Sequence, residues 1–227
     1  MKKEICLSKE NINPDAVIKR GYLKENIRIF SLDSIENKSI PPHYHEFHKI
    51  IQFKEGRLDY IVEGKRYHLI PGDTLVIPAF CIHQPIIEEK TPYKRIVLWI
   101  KPEAVTYLGI TESFLSPHLV GRKQANNEDE IIGKVISEIN SRLTAALSVK
   151  YLCEKYFISE SRLTVRFKKV TGVTPHKYIL QKRLAAASKL LSEGETAAAA
   201  ARKSGFNDYS SFYRAFLKEY GISPRAY

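Results

Sequence analysis

Cysteine is scarce in this chain: Cys6, Cys81 and Cys153 are the only three in 227 residues. An odd number at wide spacing excludes a disulfide framework and the paired cysteines of a zinc finger, and it suits reduced thiols. Long apolar runs are absent as well, since none approaches the ~20 residues that span a bilayer. The opening MKKEICLSKENINPD has neither the apolar stretch nor the small-residue cleavage site of a secretory signal. The expected location is therefore the cytoplasm, with no membrane partner. Acidic residues are also few beside basic ones, 25 Asp/Glu against 36 Lys/Arg, a net charge of +11. Residues 1–110 carry 17 Lys/Arg and 14 Asp/Glu, a net +3, whereas residues 111–227 carry 19 and 11, a net +8. A concentrated positive field favours polyanions, nucleic acid first among them, and the competing reading is a solvated basic face.

Hydrophobic residues make up 44% and charged residues 27% of the chain, ordinary values for a globular protein. The length admits one large domain or two small ones, each able to bury a core. The two halves differ in period. From about Ile40 to Ile100, β-branched and aromatic runs (KIIQF, RLDYIVE, KRYHLI, DTLVIP, YKRIVLWI) alternate with turn signals at Glu55-Gly56, Glu63-Gly64 and Pro71-Gly72. Such even spacing predicts five or more antiparallel strands closed into a barrel or sandwich. Beyond Lys101 the spacing becomes helical. Ile131, Ile132, Val135, Ile136 and Ile139 form one stripe, and further helices are predicted at 148–157, 159–171, 174–193, 196–204 and 208–220. The fold class is thus α+β, with a β-barrel domain at 1–110, a linker at 111–127 whose polar stretch GRKQANNEDE is the expected hinge, and an all-α domain at 128–227.

The segment 148–172 reads as helix, tight turn and helix, with Leu152, Phe157, Leu163 and Phe167 expected to pack together. The segment 195–221 repeats that layout with Phe212 and Phe216 inward, and the two copies end in FKKVTG and FLKEYG. Two helix-turn-helix units in one chain are a far more specific signal than one.

With FISES, RFKKVTG, YILQKRLAAASKLL, KSGFNDYSSFYRAF and YGISPRAY on view, the last ~100 residues resemble the AraC-type family of transcription regulators. The resemblance implies double-stranded DNA as partner, with each unit placing a recognition helix in one of two successive major grooves. Carried over, the base-facing positions are Ser161, Arg162, Thr164 and Val165 in the first unit and Ser210, Ser211 and Arg214 in the second. Lys168, Lys169, Lys182, Arg183 and Lys218 are candidate phosphate contacts, against the alternative of ordinary solvated charges. Val165 stands where the family often has a basic residue. Ala197 and Ala200 stand where it usually has Ile or Val, which keeps the helix and removes core volume. RNA polymerase and a second copy of the chain are further partners that the resemblance raises.

HYHEFHKI (43–50) and PGDTLVIPAFCIHQP (71–85) resemble the two motifs of the cupin barrel, a jelly-roll sensor in many AraC-type proteins. In metal cupins these motifs supply three His and a Glu. Here His43, His45 and His83 stand at the histidine positions, the Glu is missing, and strand alternation puts Lys49 on the same face, with His48 pointing away. A cation at that place argues against a metal, so no cofactor is expected. The resulting expectation is a metal-free effector site in which His43, His45, Lys49 and His83 present donors to a small polar or anionic molecule, with Tyr60 or Trp99 as stacking surface. Histidines satisfied by backbone carbonyls are the plainer reading. The function expected is an effector-responsive, non-enzymatic DNA-binding regulator. The rivals are a cupin isomerase or dioxygenase with a basic appendage, and a constitutive DNA binder whose barrel only dimerises.

Overall fold

The computed structural model describes residues 6–7, 23, 25–34, 40–87, 91–108, 110, 116–120, 129–143 and 147–227. The chain divides into two compact units, 1–127 and 128–227. In the first, nine strands are found among the described residues: β1 (Cys6–Leu7), β2 (Ile27–Ser34), β3 (His48–Glu55), β4 (Leu58–Val62), β5 (Lys65–Leu69), β6 (Thr74–Ile77), β7 (His83–Ile87), β8 (Tyr93–Ile100) and β9 (His118–Leu119). They form a six-stranded sheet in the order β1-β2-β8-β3-β6-β9 and a three-stranded sheet in the order β5-β4-β7. All pairings are antiparallel except β1 with β2.

Alternation decides which face is buried. Along β3, Lys49, Ile51 and Phe53 are buried and the residues between them are not. Ile51 and Phe53 meet Tyr60 and Val62 of β4, Tyr67 and Leu69 of β5 and Leu75 and Ile77 of β6 in one core that both sheets share. Five strands match the expected runs, and β8 runs Tyr93–Ile100 as the sequence predicts. β2 and helix α1 (Pro102–Tyr107) were not anticipated. Of the expected linker only 116–120 is described, and there His118 and Leu119 pair with β6 while Leu119 joins the core. The expected hinge lies outside the described residues up to 128.

The second unit holds α2 (Glu130–Ser141), α3 (Val149–Lys155), α4 (Glu160–Thr171), α5 (Pro175–Ser192), α6 (Ala197–Lys203) and α7 (Tyr209–Tyr220). Start signals set these bounds: the side chains of Asp129, Ser148, Thr174, Thr196 and Asp208 each accept from a backbone N–H in the first turn. Asp129 also holds Arg166 through two 2.8 Å hydrogen bonds, which fastens α2 to α4. The helices α3–α4 and α6–α7 are the two helix-turn-helix units, with α5 between them, and α4 and α7 both end on a left-handed glycine, Gly172 and Gly221. No helix among the described residues is long and apolar enough to cross a membrane.

One packing expectation is corrected. Leu152, Leu163 and Phe167 are fully buried, but Phe157 is 97% exposed. The reason is its backbone: Phe157 is the turn residue, with φ of 50°, and Ile158 after it turns inward. In the second unit that turn position is Gly205, with φ of 91°, followed by Phe206. The alanines differ too: Ala200 has no exposed surface, whereas Ala197 is only half-buried and borders a groove of about 490 Å³ with Leu191, Tyr209 and Tyr227.

Two predictions follow from this packing. A Cβ on Gly205 would lie 2.3 Å from the Leu143 carbonyl oxygen, on a backbone that L side chains rarely adopt. Gly205→Ala is expected to cost on the order of 2 kcal/mol in denaturant unfolding, whereas Phe157→Gly, relieving the same backbone conformation, should raise the midpoint. An unchanged midpoint for Gly205→Ala would show that the loop carrying Leu143 yields freely. The second concerns Glu138, which takes hydrogen bonds from Lys155 at 2.7 Å, Tyr151 at 2.7 Å and Arg142 at 3.4 Å. Those donors, Lys155 foremost, lower its pKa to about 2. Because the folded carboxyl holds its proton less tightly than the unfolded one, this stabilisation is present above pH ~4.5 and is lost as pH falls towards 2. Glu138→Gln should flatten stability against pH over that window.

Candidate functional site

His43, His45, Lys49 and His83 reach one place from three parts of the chain. His43 and His83 exchange both backbone hydrogen bonds, 3.0 and 2.8 Å, as an isolated antiparallel bridge. Lys49 comes from the buried face of β3. The segment at 78–82 that leads into β7 is tied at three points: Phe80 N–H donates to the His45 carbonyl at 2.7 Å, Ala79 N–H to His48 Nδ1 at 3.2 Å, and Ile82 N–H to Glu63 Oε1 at 2.6 Å. His48 thus faces away from the cluster, as alternation predicts.

The three imidazoles meet at tilted or edge-on angles of about 60°, with ring centroids 4.4, 4.9 and 5.1 Å apart, and one ring nitrogen from each lies within 4.8 Å of the other two. His43 Nδ1 lies 2.8 Å from the Pro41 carbonyl and His83 Nδ1 2.9 Å from that of Cys81. A carbonyl only accepts, so both rings carry their proton on Nδ1 and bear a lone pair on Nε2. Neither Nε2 has a hydrogen-bond partner, and neither nitrogen of His45 has one. His45 and His83 are each 2% exposed. Buried polar atoms are normally satisfied, so three orphaned imidazoles in one place call for a ligand. Backbone carbonyls satisfy only one nitrogen of His43 and one of His83.

Burial keeps these groups neutral. It is the largest cause lowering His43 to about 4 and pulling His45 and His83 well below the ordinary histidine value, with Lys49 adding to each. Burial and then Arg95 lower Lys49 to about 7. Among the described residues, no carboxylate is a cause of these shifts. The Lys49 Nζ lies 5.9 Å from the Tyr60 ring, and Tyr60 is 6.3 Å from His83 with its hydroxyl 3.3 Å from that of Tyr93. Trp99 is opposite Lys49 in the β3–β8 register, but its ring packs on Phe30 and Phe47, and Phe47 in turn stacks on His45. Trp99 is buried and backs the cluster both through Phe47 and through its own ring, 6.3 Å from that of His45. Sequence reasoning missed this role of Phe47, although Phe47 sits within the first cupin-like motif.

The three histidines fit a metal ion. Three neutral nitrogen donors, two of them fixed in tautomer by a backbone carbonyl, are the donor set that imidazole-binding transition metals use. Lys49, which argued against a metal in the sequence, leaves this donor set intact.

In the helical unit, Ser161, Arg162 and Val165 on α4 are exposed and Thr164 is half-buried, and Ser210, Ser211 and Arg214 on α7 are exposed. Val165 is 69% exposed. Lys168, Lys169 and Lys218 are exposed and Lys182 is half-buried. Arg183 is half-buried. Its guanidinium donates to the carbonyls of Leu143 and Leu147, each at 3.2 Å, which ties α5 to residues between α2 and α3.

Known proteins carry the same two parts. Residues 35–100 match the cupin domain and residues 152–227 match a helix-turn-helix domain. The probable transcriptional regulator LumQ of Photobacterium leiognathi is 38% identical over 90 residues, which are 39% of this chain and 36% of that protein. The HTH-type transcriptional regulator YobQ of Bacillus subtilis is 28% identical over 82% of this chain and 87% of its own length. Among solved structures, the C-terminal domain of the response regulator yesN of Fusobacterium nucleatum is 31% identical, covers 44% of this chain and 97% of that chain, and superposes with a TM-score of 0.40. A cupin domain followed by a helix-turn-helix domain, with a transcriptional regulator matched along most of the length, makes this chain a DNA-binding transcription regulator.

Proposed function

We propose that the β unit is a sensor whose ligand occupies the pocket of His43, His45, Lys49 and His83, and that occupancy changes the affinity of the helical unit for its DNA site. The observation that carries this reading is the set of buried, unpartnered imidazole nitrogens facing a buried lysine. Leaving them unpaired costs stability in the free protein, about 1–3 kcal/mol for each buried polar group, so a ligand that pairs them recovers interaction energy that the fold alone does not supply. Binding is the activity, with no chemical step. The curated relatives support this against the rival cupin enzyme, being transcriptional regulators. The site of action is the cytoplasm, with RNA polymerase and a second copy of the chain as further partners.

Against DNA, Ser161, Arg162, Thr164 and Val165 face one major-groove segment and Ser210, Ser211 and Arg214 the next, with Val165 suited to a thymine methyl. Lys168, Lys169 and Lys218 meet phosphates. Exposure of these side chains on the two second helices supports the assignment.

The sensor is tested by thermal shift against a panel of polar and anionic metabolites, where a ligand at 100 times its Kd adds ~2.7 kcal/mol. A compound that stabilises the protein should also shift its affinity for a duplex selected from a random pool. Affinity unmoved by every stabilising compound would identify a constitutive DNA binder instead. For the interface, Arg214→Ala is expected to cost ~1–3 kcal/mol on the selected duplex and to relax preference at one or two base pairs. Lys169→Ala should weaken selected and random duplexes alike and make the salt slope shallower by about one unit. Equal loss on both duplexes for Arg214→Ala would make it a phosphate contact.

A further inference from the structure

The pocket has a charge problem that its donor set does not solve. A divalent ion bound by His43, His45 and His83 brings two positive charges into a site already bordered by Lys49, with Arg95 the next charge acting on that lysine. Among the described residues, no carboxylate is a cause of any shift in the cluster, in contrast to the exposed Lys94 and Lys134, which lie within reach of acids. Three neutral imidazoles cancel none of this charge. A buried cation without compensation is costly, so an ion here needs a negative partner that the described residues around the cluster do not provide. The three histidines also leave a metal with open positions, as three-ligand sites do.

We propose that this chain recognises a metal-bound anion: His43, His45 and His83 hold one divalent transition-metal ion, and Lys49 pairs with a small carboxylate that occupies an open position on that ion. This rests on the sensor reading and deepens it, because the effector becomes the pair of metal and anion. Lys49 is then a recognition residue, standing where a fourth protein ligand would make the anion unnecessary. Metal–nitrogen bonds of ~2.0–2.1 Å bring coordinated nitrogens closer together than the 4.8 Å span of the free cluster, so the rings draw inward on binding. Tethering at Phe80, Ala79 and Ile82 limits that movement to side chains on a fixed backbone.

The test uses tag-free full-length protein, cobalt(II) as metal and acetate as anion, read by the visible d–d spectrum and by equilibrium dialysis. The expected result is one cobalt per chain, an affinity that rises at least tenfold as acetate is added, and a spectral change on acetate addition. His83→Ala should abolish cobalt binding. Lys49→Ala should abolish the acetate effect, and Lys49→Glu, supplying both ligand and charge, should bind cobalt tightly without acetate and ignore it. Circular dichroism checks the fold of each variant, and the acetate titration of the unaltered protein stands whichever variants fold. No stoichiometric cobalt at any acetate concentration, an acetate effect that survives Lys49→Ala, or loss of cobalt itself on Lys49→Ala would each overturn the proposal. The sensor reading fails separately. If cobalt and acetate bind as described and DNA affinity stays constant, the site stands and the sensor falls. If a metabolite changes DNA affinity in protein freed of metal by a chelator, the sensor stands and the metal-bound anion falls.

Discussion

Two backbone hydrogen bonds between His43 and His83 hold the β unit's chemistry in place. They are the only ladder contact between the irregular segment 40–47 and the three-stranded sheet among the described residues, and they lie at the start of β7. Because of them the two cupin-like motifs, about forty residues apart in the chain, present their imidazoles to one volume. The surrounding ties repeat the principle: His45 gives its carbonyl to Phe80, and His83 gives its Nδ1 proton to Cys81. Each histidine is thus positioned through its backbone or its far nitrogen, leaving the near nitrogen unengaged. Such a cluster is held in place by the fold itself, which for the proposed ligand would reduce what must be ordered on binding.

The helical unit solves a different problem with the same economy. Two recognition helices must stay fixed relative to α5, and buried aromatics do much of this. Phe167 meets Tyr178 edge-on at 5.3 Å, and Phe212 lies between Phe206 and Phe216 at 5.1 and 5.4 Å. Arg183 adds a polar clamp to the carbonyls of Leu143 and Leu147, beside the close approach of Gly205 to the same Leu143. An arginine on the long helix therefore does structural work that its charge alone does not reveal, while the serines and lysines named on α4 and α7, with Arg162 and Arg214, stay exposed for the proposed DNA contacts.

What the sequence made legible follows from how local the controlling physics is. The helices of the second unit were readable to within two residues because capping side chains such as Thr174 and Asp208 act within one turn of themselves. Strands β3 to β6 and β8 were readable from period-two burial between glycine turns. β9 was hidden because two residues carry no period, and its pairing with β6 is a long-range event. Phe157 was misplaced because apolar character suggested the core, while the left-handed backbone of the turn turned it outward. The structural role of Arg183 was hidden because nothing local shows that two carbonyls about forty residues earlier await it. At the β site, the residues that converge were legible from motif and alternation, but their unpaired nitrogens were not, since hydrogen-bond partners such as Pro41 and Cys81 are a matter of three-dimensional placement.

The chain's positive charge consequently serves two chemistries that solvent separates. On α4 and α7 the cations are exposed, weakly coupled and screened within about 10 Å at 0.1 M salt, which suits many small contacts to a polyanion. Lys49 is 9% exposed and borders neutral rings, so its field is screened by little water and falls on whatever enters the pocket. Burial opposes its protonated form and lowers its pKa to about 7. An anion placed beside it restores the charged form, and each stabilises the other. A lysine that burial makes expensive to keep charged would thus regain a favourable charged state beside an anion, which is the dependence on which the proposed sensor rests.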